Sequence, residues 1–313
     1  MTATLEAPHP VRAHRVRSAI RLHRPALWIW LAHLTVTAGL LLWLIGPGAD
    51  STQRMLDRYG YAGVSEAAWT GGVNGTYGLG SYNDLFTYPD TLLTLSGFAV
   101  ALFAGGPLIA RELETGTARL AWTQSASPAR WLALQLAVPA ALLVTGTTLL
   151  TLLYRYLWSA HGELLLAGIG PRAVYFSIGP ATVAAPLLGL ALGALIGLLV
   201  RRTLPALVLS GGAYFLVYAF RGNHWPFQGS YQQPDLVSRS TAITSTGAEV
   251  RDPGCYFDQG CLARHDIVRF TRAYLPSPDY WPRQLLETGV LLALTAVVVA
   301  VAFRVLRGRA TTV

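Results

Sequence analysis

The sequence predicts an all-α integral membrane protein with six transmembrane helices and both termini in the cytoplasm. Of its 313 residues, 52% are hydrophobic and 13% are charged, and the mean hydropathy is +0.40. Soluble domains are usually about one quarter charged. The apolar residues also cluster into long runs, and the arginines collect between alternate runs. These observations together point to a protein that crosses a bilayer several times.

Six apolar runs are about as long as the 17–25 residues that a helix needs to cross a bilayer. The predicted spans are residues 27–45, 91–110, 131–156, 174–200, 203–220 and 285–303. Only Arg201 and Arg202 separate the fourth run from the fifth, which predicts a tight helical hairpin. The first run is longer than the apolar part of a signal peptide and lacks a clear cleavage site. We therefore expect it to stay as a helix.

The arginines predict the orientation. All 24 basic residues are arginine. With the N-terminus inside, the cytoplasmic segments hold five arginines before the first run, three in 111–130, two at 201–202 and three after the last run, against three acidic residues. Positive residues accumulate on the cytoplasmic side of short loops, whereas a loop as long as 221–284 crosses largely regardless of charge. Both termini are therefore expected in the cytoplasm.

Residues 1–26 are predicted to form a cytoplasmic tail with a basic amphipathic helix over 10–25. Val16 and Ile20 share one face, while Arg17, Arg21 and Arg24 lie on another. Such a helix suits the inner surface of a membrane. A solvated tail that only fixes the orientation is the alternative, and the pattern does not separate the two.

The large extracellular loop, 221–284, contains the two cysteines of the chain, Cys255 and Cys261. An oxidising compartment favours a disulfide between them, and free thiols are the alternative. A zinc site is less favoured, although His265 is near in sequence, because further ligands at a standard spacing are absent.

Small residues recur at every fourth position of the fourth run, at Ala181, Ala185, Gly189, Gly193 and Gly197. This stripe predicts close helix packing. It could form a dimer seam or pack against a neighbouring helix of the same chain, and we favour the second.

Several function classes fit the sequence poorly. The chain has no lysine, so it has neither the lysine of a phosphate-binding P-loop nor a Schiff-base lysine. Paired carboxylates, HExxH and a Ser/His/Asp set are absent from the runs. We predict no catalytic or metal-binding residues, and we expect the positive charge to set topology and not to bind nucleic acid. An intramembrane enzyme is therefore the least favoured function.

The segment "ARELETGTARLAWTQSASPARW", residues 110–131, is unusual for a short loop between spans. Gly116 predicts a helix stop, and Thr117 can cap a short helix that carries Leu120 and Trp122. Ser127 followed by Pro128 predicts the start of the third helix. Residues 111–130, which we call the connector, fit a lever moved by another protein. An ordinary amphipathic connection on the membrane surface fits them equally well.

The connector resembles that of the ABC type-2 permease family, the membrane subunits of ATP-binding-cassette exporters. In that family a stretch of the form "ERExGTLexLLxxPvSRxxxxxgK" follows the second span. Here "RELETGT" matches its start, with Leu120, Ser127 and Arg130 at or near the later positions. Gln124 and Ser125 stand where many members have proline, and the final lysine is missing. The six-span layout with a large loop before the sixth span is also similar.

The resemblance implies the ABC type-2 (type V) exporter architecture and a permease in the bacterial cytoplasmic membrane. It would form a homodimer, or pair with a related permease chain, and export a hydrophobic or amphipathic substrate. A separate ATPase subunit would bind ATP and Mg, and this chain would need no cofactor. Its expected ATPase-coupling residues are Arg111, Glu112, Glu114, Thr115, Gly116, Arg119 and Trp122.

The resemblance also implies a role for individual coupling residues. Glu112, Glu114 and Arg119 would form ion pairs with a groove on the ATPase, and Trp122 would anchor in that groove. The other function that explains the connector is a membrane sensor or anchor that recruits a partner without transport. Dependence on ATP distinguishes the two.

Overall fold

A computed structural model describes residues 24–60, 79–124, 127–165, 174–224, 230–233, 241–251, 253, 259–273 and 277–310. Six helical segments in it are long and apolar enough to cross a membrane: Ala26–Tyr59, Tyr82–Glu114, Pro128–Ala160, Pro180–Val200, Thr203–Gly222 and Tyr280–Gly308. We call them the first to sixth spans. The predicted helical class with six spans is confirmed, while the orientation of the termini stays a prediction. The expected amphipathic helix over 10–25 lies almost wholly outside the described residues.

The first two spans are longer than predicted and each contains a π-helical segment. The first consists of α1 (Arg24–Trp43), a π segment (Leu44–Gly48) and α2 (Ala49–Tyr59). The second consists of α3 (Leu79–Val100), a π segment (Ala101–Gly105) and α4 (Gly106–Glu114). The sequence predicted helix only over 27–45 and 91–110, because polar residues beyond the apolar runs resemble loops. Those turns remain helical because they pack together: Tyr82 is buried and donates a 2.9 Å hydrogen bond to the Leu44 carbonyl.

The remaining spans are single helices. The third is α6 (Pro128–Ala160), after the short connector helix α5 (Thr117–Gln124), and the fourth and fifth are α7 (Pro180–Val200) and α8 (Thr203–His224). The sixth span belongs to α10 (Ser277–Ala310). The fourth begins six residues later than predicted because Gly179 has an extended backbone and Pro180 occupies the first helical turn. Residues 174–179 form turns and bends.

The fourth span is the core of the bundle, and its small-residue stripe explains why. A Cβ atom at Gly193 would lie 2.6 Å from the Gly105 Cα, and one at Gly197 would lie 2.6 Å from the Gly106 carbonyl oxygen. The stripe therefore lets the backbone of the fourth span touch that of the second. Ala181 and Ala185, at its other end, belong to an apolar cluster that includes Leu291 of the sixth span. Of the two alternatives, the structure shows packing within the chain.

The part of the long loop that is described contains a small antiparallel sheet that the sequence analysis did not predict. Its strands are β1 (Ser230–Gln233), β2 (Thr241–Thr244), β3 (Glu249–Arg251) and β4 (Ile267–Ala273), in the order β1-β4-β2-β3. A short helix, α9 (Gln259–Arg264), precedes β4 and carries Cys261. Cys255 lies outside the described residues, so its pairing with Cys261 stays a prediction.

Buried polar contacts hold the bundle together at its loop end, opposite the connector. The Arg221 Nε atom of the fifth span lies 2.5 Å from the Glu287 Oε1 atom of the sixth, and the two side chains are 9% and 5% exposed. The Arg221 guanidinium also lies over the Phe176 ring, 4.9 Å from its centroid. The Gln284 side chain donates a 2.6 Å hydrogen bond to the Tyr175 carbonyl. The turn at 174–179 is thereby attached to both the fifth and the sixth spans.

Candidate functional site

The connector begins with a tight break between two helices. Helix α4 ends at Glu114, and both the backbone N–H and the hydroxyl of Thr115 donate to the Arg111 carbonyl, at 2.9 and 2.8 Å. Gly116 follows with φ +76°, a left-handed conformation that glycine adopts without the steric cost other residues meet. The Gly116 carbonyl then accepts from the Arg119 N–H at 3.1 Å. The predicted helix stop at Gly116 is confirmed.

The connector ends with a helix cap. The Ser127 side chain accepts a 3.3 Å hydrogen bond from the Arg130 N–H, and Pro128 occupies the first position of the third span. Serine satisfies an otherwise unpaired amide there, and the proline has no amide to satisfy. The predicted start of the third helix is confirmed.

Glu112 ties the connector to the third span. Its side chain points into the bundle, where the residue is 8% exposed. Trp131 Nε1 donates to its Oε2 at 2.7 Å, and Gln135 Nε2 donates to its Oε1. Both carboxylate oxygens are therefore occupied by donors of the same chain. In this conformation Glu112 is not available for the expected ion pair with another subunit, because the carboxylate is buried and already hydrogen-bonded.

Glu114 ties the connector to the fifth span. Its Oε2 accepts from the Thr203 N–H at 2.9 Å and from the Thr203 hydroxyl at 2.5 Å. Thr203 is the first residue of α8, where backbone N–H groups have no partner within the helix. Glu114 thus caps the fifth span from a distant part of the chain. Two acidic residues two positions apart attach one connector to two different spans.

Trp122 also packs within the protein. Its ring meets that of Trp131 edge-to-face, with centroids 5.6 Å apart and planes at 80°. Ala118 beside it is fully buried, and both belong to an apolar cluster with Leu306 of the sixth span. The expectation that Trp122 projects into a groove of a partner is therefore not met in this conformation. The indole holds the connector helix against the bundle instead.

The opposite side of the connector helix faces outward. Arg119, Leu120 and Thr123 are exposed, and Leu120 is 58% exposed. We call these three residues the connector surface. Arg111, at the end of the second span, is exposed as well. An apolar side chain between a basic and a hydroxyl group makes a small, mixed surface suited to contact with another protein.

Among the residues that the structure describes, no group of three or more His, Cys, Asp and Glu side chains is arranged to hold a metal ion.

Three residues of the connector's framework were missed by the sequence analysis: Trp131, Gln135 and Thr203. Trp131 and Gln135 are four positions apart and so share one helix face, and a glutamine within an apolar run is a visible signal for a buried polar partner. Thr203 carried no such signal, because its partner Glu114 is 89 positions away in sequence.

The six apolar helices and the connector define a multi-pass membrane protein with a structured element at one end of its bundle. A family model described as ABC-2 membrane transporter related matches residues 31–222, a range that includes the connector and most of the first five spans. The chain belongs to this family, and the resemblance drawn from the connector is confirmed. No curated protein and no solved structure matches the chain significantly.

Proposed function

We propose that this chain is the permease subunit of an ATP-binding-cassette exporter in the bacterial cytoplasmic membrane. It moves a hydrophobic or amphipathic substrate, powered by ATP that a separate ATPase subunit binds with Mg and hydrolyses. Two copies, or one copy and a related permease chain, form the membrane part. The observation that carries this proposal is the connector, which is attached firmly to the bundle on one side and exposed on the other.

The two ties make the connector able to transmit a force. Glu112 is hydrogen-bonded to Trp131 and Gln135 of the third span, and Glu114 to Thr203 of the fifth. Hydrogen bonds to charged groups are stronger than those between neutral groups. A push on the connector helix is therefore passed to two spans at once. A free surface loop would absorb the same push by bending.

The connector surface supplies the contact with the ATPase subunit. Leu120 gives apolar area and Arg119 gives a positive charge, which together suit an apolar groove lined by acidic residues. Apolar and arginine side chains are typical contributors to protein interfaces. Arg119 keeps the ion-pairing role that the sequence analysis gave to it together with Glu112 and Glu114, whereas the two glutamates act inside the permease. Arg111 is also exposed and adds a second positive charge.

The long loop is proposed to cover the exit of the pathway on the extracellular side. The sheet formed by β1 to β4 gives the loop a structure of its own, and a Cys255–Cys261 disulfide would close the chain just before β4. A lid of this kind limits return of the substrate after release.

A pull-down from native membranes in mild detergent tests the central proposal. The eluate is analysed by mass spectrometry and assayed for ATPase activity. We expect a stoichiometric partner with a P-loop in the wild type. The double substitution Arg119→Glu with Leu120→Asp should remove it without changing the melting temperature, because both side chains are exposed.

An exposed arginine and an exposed tyrosine at the loop end of the first span provide the matched control. Arg58→Glu with Tyr59→Asp makes the same charge reversal and the same apolar-to-acidic change at positions opposite the connector, and it should retain the partner. A purified chain without any ATP-binding partner or ATPase activity would contradict the proposal and favour a membrane sensor or anchor.

A further inference from the structure

A cavity of about 180 Å³ lies between the first three spans. Its wall includes Trp30 and His33 from the first span, Phe103 and Leu108 from the second and Pro139 from the third. Nearly all of its lining is apolar. An engineered apolar cavity of roughly 150 Å³ binds benzene. The space therefore has room for a small ring or for several carbons of a hydrocarbon chain.

Two helix irregularities meet at this cavity. The π segment Ala101–Gly105 contributes Phe103 and Ala104 to the wall, and Pro139, inside the helix of the third span, lines the same cavity. A proline in a helix leaves the carbonyl four residues earlier without its usual donor, and π turns are frequent at functional sites. Ala26 and Ala99, also in the wall, have small side chains that leave this space open.

The cavity opens on the outside of the bundle. Ile29 and Phe103 both line it, and they are 61% and 53% exposed. Both residues lie within spans, so the medium outside the opening is the hydrocarbon of the bilayer. An unfilled apolar space forfeits dispersion contacts on its open side. A chain that enters from the bilayer restores these contacts without leaving an apolar medium.

Two ring nitrogens in the wall have no hydrogen-bond partner among the described residues. Trp30 Nε1 and His33 Nε2 are buried, and the two rings stack with centroids 5.3 Å apart. Buried polar groups without partners are costly in an apolar medium. Trp30 and His33 lie six and nine residues after the start of α1 at Arg24, about 9 and 14 Å along the helix axis. The ester oxygens of a lipid whose chain enters the cavity can accept from such donors.

We propose that this cavity binds the acyl chain of a membrane lipid, with the chain between the first and second spans and its ester group near Trp30 and His33. The bound chain lies against the segments that hold the connector. Leu108 is one helical turn before Glu112, and Val138, also in the wall, is three positions after Gln135. The lipid thus supports the two segments that the Glu112 tie joins. Binding itself does not rest on the proposed transport function.

Photo-crosslinking tests the site. The full chain is placed in nanodiscs that contain a small fraction of phosphatidylcholine with a diazirine on one acyl chain. After irradiation, labelled peptides are mapped by mass spectrometry. We expect labelling to concentrate on peptides that cover 26–33 and 99–104. The reference is the fifth span, where Leu204, Val208 and Leu216 are 76%, 67% and 69% exposed and no part lines the cavity.

Cavity-filling variants separate a bound chain from passing lipid. Ala99→Phe places a ring in the opening and should lower labelling of 26–33 about tenfold, which corresponds to ~1.4 kcal/mol of binding. Ala104→Leu fills the same space with less bulk and should act in the same direction. Val208→Phe adds the same kind of ring on the exposed face of the fifth span and should leave the labelling of 26–33 unchanged.

Three outcomes overturn the proposal. Equal labelling of the cavity peptides and of the fifth span would mean that the probe reaches both only as annular lipid around the protein. Undiminished labelling in both filled variants would place the lipid elsewhere. Absent labelling of 26–33 and 99–104, with labelling of the fifth span retained, would show that no lipid chain enters the opening.

Discussion

Trp131 Nε1 donates a 2.7 Å hydrogen bond to the buried carboxylate of Glu112, 19 residues earlier in the chain. This contact joins the end of the second span to the start of the third. Together with the Gln135 amide, it fixes the connector from inside the protein. The acidic residue that most clearly marks the connector in the sequence thus makes its contacts within the chain itself.

Glu112→Ala should lower the thermal stability of the purified protein. The substitution leaves the Trp131 and Gln135 donors buried without an acceptor, at a cost of about 1–3 kcal/mol. Glu112→Gln keeps one acceptor, so its melting temperature should lie between those of the wild type and of Glu112→Ala. The melting temperature in detergent measures the effect. Glu249→Ala, at an exposed glutamate of the loop, is the control, and equal melting of both alanine variants would show that the tie contributes nothing.

Gly193→Ala should destabilise the bundle. The added methyl group would lie 2.6 Å from the Gly105 Cα, so the second and fourth spans must move apart, and overpacking of this kind typically costs about 1–3 kcal/mol. At Gly289 of the sixth span the same substitution meets no atom within 4 Å. Gly289→Ala should be neutral or stabilise by up to about 1 kcal/mol, since alanine favours helix.

Thermal unfolding of the two glycine variants side by side gives the measurement. If the Gly193→Ala protein melted at the same temperature as the Gly289→Ala protein, the fourth span would not be packed as closely as described.

The ion pair between Arg221 and Glu287 should show strong coupling in a double-mutant cycle. Removing either partner alone leaves a buried charge, which costs about 3–5 kcal/mol. Replacing both, by Arg221→Met with Glu287→Leu, removes the charges together and should restore most of the stability. Chemical unfolding of the four proteins measures the coupling free energy. Additive effects of the two single substitutions would argue against direct contact.

The disulfide between Cys255 and Cys261 can be tested by counting thiols. We expect alkylation of the unfolded protein to add two labels only after reduction. Reduction should also lower the stability of the loop, because closing a chain segment restricts its unfolded state. Cys255→Ser and Cys261→Ser proteins should show no response to the reductant. Two labels without reduction would mean free thiols.

The parts of the fold that depend on local chemistry could be predicted from the sequence. Apolar runs of bilayer length gave the six spans. Gly116 marked the helix break, and Ser127 with Pro128 marked the next helix start, because each acts through its own backbone or through residues within one turn. The small-residue stripe indicated close packing for the same local reason, since spacing along one helix determines a face.

The parts that depend on distant partners could not be predicted. The direction of the Glu112 side chain depends on Trp131 and Gln135, and a sequence pattern cannot distinguish a buried carboxylate from an exposed one. Arg221 was assigned to the loop, because nothing near it indicates a partner 66 positions away. The helical turns that extend the second span were missed, since their polar residues are accommodated by tertiary contacts and not by local preference.

The tie between Glu114 and Thr203 has a consequence for how the chain is made. Ribosomes deliver the spans in sequence order, so Glu112 meets Trp131 and Gln135 as soon as the third span is inserted. The contact between Glu114 and Thr203 can form only after 89 more residues have been made, and these include the whole fourth span. The connector therefore reaches its final form only when the fourth and fifth spans are in place. A chain that ends before the fifth span therefore lacks the Glu114 contact and holds its connector through the Glu112 tie alone.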